Sequence, residues 1–183
     1  WVMAANYLPR NLVLLDSELN FVKLIETASL DGKQTSRVSA VYDAGPRHSF
    51  VAAMKDMPEL WEISYDEKAE PIHDGYVHDY TMGEAIAKPG FLNPRRTPLE
   101  DVLDDFFFDQ SYRNIMGASR DGKGQVVNLD ARRKIAELSL PGMPHLGSGI
   151  TWLWQGRTVM ASTNLKESAV TVIDLSNWQT VKT

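Results

Sequence analysis

The chain has 183 residues, 43% of them hydrophobic and 23% charged, with a net charge of -5 and an isoelectric point near 5.4. That balance fits one globular domain rather than a disordered chain, and the acidic surplus argues against a nucleic-acid surface, which needs clustered Lys and Arg. Without cysteine there is no disulfide, no thiolate zinc site and no Cys-x-x-Cys-His for covalent haem attachment, and no apolar run approaches the roughly 18 residues of a membrane span.

The chain opens inside a strand pattern, Trp1-Val2-Met3-Ala4, with neither an initiator Met nor a signal peptide, and is read as a piece of a longer protein. Val2-Met3-Ala4-Ala5, a polar turn and Leu12-Val13-Leu14-Leu15-Asp16 form the first of four similar units. The second runs from Phe50-Val51-Ala52-Ala53 to Tyr65-Asp66, the third from Ile115-Met116-Gly117-Ala118 to Leu129-Asp130, and the fourth from Val159-Met160-Ala161-Ser162 to Ile173-Asp174. In each unit the Ala and the Asp lie 12 or 13 residues apart, and the units follow one another at 49, 65 and 43 residues. This brackets the roughly 40–50 residues of a propeller blade, with one enlarged connection. Short alternating strands and tight turns such as Asp31-Gly32 and Asp121-Gly122 fit the four-stranded antiparallel sheet of a blade. The fold class expected is all-β, a β-propeller fragment of about four blades out of a larger ring; a β-sandwich is the bland alternative, but sandwiches lack such a repeat. Met3, Met54, Met116 and Met160 sit at strand ends, as core residues do.

The enlarged connection, 71–109, is expected to be a long inter-blade loop placed as a lid over the central channel, with a helix at 97–103 started by Thr97 and Pro98. Its His73-Asp74 and His78-Asp79 pairs resemble metal-ligand spacing too weakly for a metal site to be assigned. The next stretch, 103–149, carries most of the candidate chemistry. Strands are expected at 114–119, 125–129 and 134–140. Asp104 and Asp105 precede Phe106-Phe107-Phe108 and become proton carriers if burial raises a pKa; capping a turn is the plainer role. His145, between Pro144 and Leu146-Gly147-Ser148-Gly149, lies on a stiff loop that a planar ligand can approach, or else ties that turn by a ring hydrogen bond. No nucleophile elbow, phosphate loop or dinucleotide fingerprint occurs.

At these residues the chain resembles the haem d1 propeller family, which comprises the d1 domain of cytochrome cd1 nitrite reductase and its paralogues in haem d1 biosynthesis. Ala5-Asn6-Tyr7-Leu8-Pro9 resembles that reductase's Ala-x-Tyr-x-Pro, Ala53-Met54-Lys55-Asp56-Met57-Pro58-Glu59-Leu60 its Ala-Ser-His-x-His-Pro-Glu-Phe, and 144–149 its Pro-His-Pro-Gly-Arg-Gly. The resemblance covers the whole chain and implies about half of an eight-bladed propeller. Lys55 and Met57 stand where the reductase has the histidines that protonate nitrite, so nitrite reduction is not expected. The runs 94–108 and 144–149 resemble the NirF family in particular. That implies haem d1 biosynthesis in the periplasm during denitrification, through binding of haem d1 or its precursor, an iron tetrapyrrole whose axial ligand lies outside this chain. The roles implied are catalytic for Asp104, Asp105 and His145. For cofactor binding they fall to Tyr7, Arg10, Lys55, Phe107, Arg113, His145 and Ser148, with the basic residues pairing with tetrapyrrole carboxylates. The alternatives are a carrier of haem d1 that docks other maturation proteins or nitrite reductase, and a dihydro-haem d1 dehydrogenase or nitrite-reductase-like haem d1 protein; whether the protein is an enzyme stays open.

Overall fold

The computed structural model describes residues 1–73, 87–146 and 150–183. Four successive antiparallel meanders build it. The first sheet comprises β1 (Val2–Asn6), β2 (Asn11–Leu15) and β3 (Phe21–Glu26); the second β4 (Val38–Ala44), β5 (Ser49–Met54), β6 (Glu59–Ser64) and β7 (Pro94–Pro98). The third holds β8 (Asp105–Phe108), β9 (Asn114–Ala118), β10 (Lys123–Asn128) and β11 (Arg133–Ser139). In the fourth, β12 (Pro144–His145) and β13 (Thr151–Trp154) both pair with β14 (Arg157–Asn164), which continues to β15 (Val170–Asp174) and β16 (Gln179–Lys182). Four meanders of this kind are what the sequence repeat calls for.

The alternation of side chains along a strand decides which sheet meets which. Ala52 and Met54 of β5 pack with Leu12 and Trp61 against the first sheet, while Val51 and Ala53 pack with Leu60, Phe106 and Val127 against the third. The same rule splits the aromatic triplet. Phe106 points to the second sheet, and Phe107 joins Met116, Val126, Met160 and Ile173 in the core between the third and fourth. Met54, Met116 and Met160 are fully buried, as the repeat suggested, whereas Met3 is only partly buried against the neighbouring core.

The recurring Asp has a local cause. Asp16 accepts from the backbone N–H groups of Glu18 and Asn20, Asp66 from Lys68 and Asp174 from Ser176, so each closes the turn that leaves its strand. Asp130 departs from the pattern. It takes Arg47 and Arg113 at 2.7 and 3.1 Å, and Asn128 closes the turn instead through the Ala131 N–H.

Two expectations for 71–109 are corrected. No helix forms at 97–103, because 94–98 is extended and pairs with β6, Leu60 opposite Thr97. The physical reason is the unfilled edge of β6, whose backbone groups need partners; an outermost strand tolerates Pro94 and Pro98. Nor is the connection all loop, since it supplies β7 and β8, the last strand of one sheet and the first of the next. A lid would fall on 74–86, outside the described residues.

Candidate functional site

The inner strands β4 and β8 begin at one end of the sheets, and the segments leaving β1, β5 and β9 converge there. Three polar networks occupy that end. In the first, the Arg37 guanidinium forks onto Asp56, with Nε 2.8 Å from Oδ2, while its Nη1 donates to the Tyr7 hydroxyl. The same guanidinium lies 4.9 Å from the centre of the Tyr7 ring, which is 56% exposed. Arg10 sits beside this group and donates to the Thr35 carbonyl and hydroxyl at 2.9 and 3.0 Å.

The second network centres on Asp104. Its Oδ1 accepts from Lys55 Nζ at 2.9 Å and from Arg120 Nε at 3.0 Å, and Arg37, Lys55, Asp104 and Arg120 line a cleft of about 290 Å³. Burial pushes the Asp104 carboxyl up, but the hydrogen bonds from Lys55 and Arg120 outweigh it and hold the group below the ordinary carboxylate range. The condition under which Asp104 would carry protons is therefore not met.

In the third network Asp105 Oδ1 accepts from the Tyr42 hydroxyl at 2.7 Å, and its Oδ2 lies 3.2 Å from His145 Nδ1. Burial, reinforced by that carboxylate, pushes the Tyr42 hydroxyl up to about 12, so Tyr42 stays protonated and donating.

The fold thus gathers Tyr7, Arg10, Lys55, Asp104, Asp105 and His145 at one end. It does not bring in Arg113, which faces Asp130 at the opposite end, beyond the turn from β8 to β9. Phe107 is likewise no wall of an open pocket but part of the core. Ser148 lies outside the described residues, as do Asp74, His78 and Asp79. Among the described residues no group of three or more His, Asp or Glu is placed to hold a metal ion.

Sequence reading missed Arg37, Tyr42, Asp56 and Arg120. Arg120 was within reach, because Lys55 and Arg120 occupy the same place in the repeat, two residues after Ala53 and Ala118. Arg37 and Tyr42 carry no such signal.

The Arg37–Asp56 pair makes one prediction. Hydrogen bonds from Arg37 hold the Asp56 carboxyl well below its ordinary value, against a smaller push upward from burial. A depressed folded pKa contributes stability that is complete above the unfolded value of about 4 and fades as pH falls further. Arg37→Met should therefore lower the urea midpoint at pH 7, and the gap from wild type should narrow when both are measured near pH 3.

A family profile described as Cytochrome D1 heme domain matches residues 1–183. The dihydro-heme d1 dehydrogenase of Pseudomonas aeruginosa is 46% identical over all of this chain and 33% of its own length. The solved structure of dihydro-heme d1 dehydrogenase NirN in complex with DHE superposes with a TM-score of 0.81 at 46% identity, covering 100% of this chain and 35% of that one. Kuenenia stuttgartiensis hydrazine synthase (TM-score 0.60) and AztD from Citrobacter koseri (0.57) are each 8% identical and share the fold alone. The chain spans about a third of the length of the dehydrogenase it matches. Its four sheets are blades of a β-propeller.

Proposed function

The chain belongs to the cytochrome d1 haem domain family, and from that premise we propose that it binds a haem d1 precursor of the dihydro-haem d1 type and takes part in a late modification of the macrocycle. The observation that carries this reading is the convergence of Tyr7, Arg10, Lys55 and His145 at one end of the blades, in a chain 46% identical throughout to a protein solved with DHE.

The residues at this end suit an anionic, planar guest. Tyr7 offers an exposed ring already stacked on a guanidinium. Lys55 and Arg120 share a single oxygen of Asp104, which leaves further N–H donors on both for the carboxylates of a tetrapyrrole. Arg120 here takes the place first given to Arg113. When bound, the tetrapyrrole supplies the bond that is changed and an iron able to exchange electrons. The chain's own part is to orient the ring through Tyr7, to neutralise its carboxylates through Arg10, Lys55 and Arg120, and to present His145 to one face.

Two finer readings follow from different observations. The runs 94–108 and 144–149 favour a NirF-like role in haem d1 assembly, and the 46% identity favours a dihydro-haem d1 dehydrogenase. In either case the full protein works in the periplasm during denitrification, alongside haem d1 maturation proteins and nitrite reductase. Among the described residues no helix is long and apolar enough to cross a membrane.

A visible-absorption titration of the full-length protein with haem d1 and dihydro-haem d1 tests the reading. A shifted spectrum is expected, with affinity weaker in His145→Ala and at least about tenfold weaker in a variant with Arg10, Lys55 and Arg120 all neutralised, since each charge-assisted contact contributes about 1.5–3 kcal/mol. Unchanged affinity in the neutralised variant would remove the carboxylate pairing, and no spectral change with either ligand would remove the function. Adding an electron acceptor then separates an enzyme, which converts the dihydro compound, from a carrier, which returns it unchanged.

A further inference from the structure

We propose that Asp105 and Tyr42 are positioning residues that hold His145 in the tautomer protonated at Nδ1, so that Nε2 faces the ligand as an acceptor of a hydrogen bond or a proton. Only the identity of that ligand rests on the tetrapyrrole reading. The three residues come from three different blades, on β4, β8 and β12.

His145 lacks other means of orientation. β12 is two residues long and is held to β14 through Pro144–Asn164 and His145–Thr163 alone. The imidazole is 58% exposed and, apart from Asp105, meets no described polar partner. Asp105, by contrast, is well fixed: its side chain is 13% exposed and its Oδ1 accepts both the Tyr42 hydroxyl and the Phe106 N–H, at 2.7 and 2.9 Å. Tyr42 is itself steadied edge-on against the Phe106 ring, centroids 5.0 Å apart. The carboxylate cannot swivel without giving up both bonds, so Oδ2 is the atom left to face Nδ1 at 3.2 Å.

An ionised carboxylate only accepts hydrogen bonds. In a hydrogen bond between the two, the nitrogen facing the carboxylate carries the proton, and in a neutral imidazole this leaves the lone pair on Nε2. The neighbouring Asp104 has a separate task, because Lys55 and Arg120 already occupy it. Asp105 thus acts through His145 rather than on the ligand.

The test is the tautomer itself, read from two-bond proton–nitrogen correlation spectra of the full chain labelled with ¹⁵N in histidine. Recording above about pH 8 keeps an ordinary imidazole neutral, and loss of signals in His145→Gln assigns the residue. Wild type should show a protonated Nδ1. Asp105→Asn, whose amide can donate to Nδ1, should move the population toward protonated Nε2, and Tyr42→Phe should move it part of the way. A wild-type His145 protonated at Nε2, or a pattern that neither variant moves, overturns the proposal; if Asp105→Asn fails to fold, Tyr42→Phe alone decides. Asp105→Asn should also bind dihydro-haem d1 about tenfold more weakly, the low end of what losing the partner of a metal-ligating histidine costs. The tautomer is read without ligand, so its failure leaves the tetrapyrrole function standing. The expected tautomer shift without any response to dihydro-haem d1 would sink the function and leave the positioning intact.

Discussion

Phe106→Ala is expected to lower the unfolding free energy by about 3–5 kcal/mol, the range for truncating a buried phenylalanine. Phe106 is fully buried among Leu60, Leu103, Ile115 and Val127, at the joint between the second and third blades. Its loss opens a cavity lined by strands from both blades, and it also removes the ring on which Tyr42 leans. Phe107→Ala should cost a comparable amount at the next joint, because Phe107 packs with Met116, Met160 and Ile173. Urea midpoints measure both. The pair also separates core from pocket. If Phe107 were a pocket wall, its truncation would weaken tetrapyrrole binding and leave the midpoint almost where it was; the packing requires the midpoint to fall.

Gly122→Ala is expected to destabilise the protein by more than about 2 kcal/mol, combining a left-handed backbone cost of about 1–2 kcal/mol with a steric clash. Gly122 has φ +89, and a methyl group there would run into the carbonyl oxygen of Leu140. The close approach is built by two hydrogen bonds, Gly122 N–H to Ser119 C=O and Leu140 N–H to Gly122 C=O, at 3.1 and 2.9 Å. The consequence reaches beyond stability. Leu140 leads through Pro141 to β12, so a displaced Leu140 carbonyl shifts the backbone that delivers His145 to Asp105. Thermal melts should show the loss, and dihydro-haem d1 affinity should fall with it. By comparison, Gly156→Ala meets no atom near its new methyl group and bears only the cost of its φ of +77. A similar drop in both variants would deny the contact at Leu140.

How much was legible in the sequence follows from the range of each force. Turn chemistry acts over a few residues, so the repeated Asp, the strand period and the four blades could be read directly. Even the assignment of Met54, Met116 and Met160 to the core needed no partner strand to be known. The helix expected at 97–103 failed at the first non-local step. Thr97 and Pro98 are good helix starters in isolation, but the vacant edge of β6 offers the segment a full set of backbone bonds.

The site depended still more on the tertiary structure. Lys55, Asp104 and His145 could be nominated one by one, whereas their grouping follows from the direction in which each strand runs, which also sends Arg113 to the far end. Adjacent Phe106 and Phe107 look interchangeable in sequence and enter different cores because alternate strand residues face opposite sides. Asp104 and Asp105 differ for the same reason: one meets Lys55 and Arg120, the other Tyr42 and His145. The sequence by itself determined the four repeats and their turns, since those rest on contacts within a hairpin, whereas β7 reaches β6 across a long connection and was not legible. Which charges meet at the blade ends was decided only by packing one blade on the next, for Tyr42 and Asp105 lie 63 residues apart and become neighbours through that packing alone.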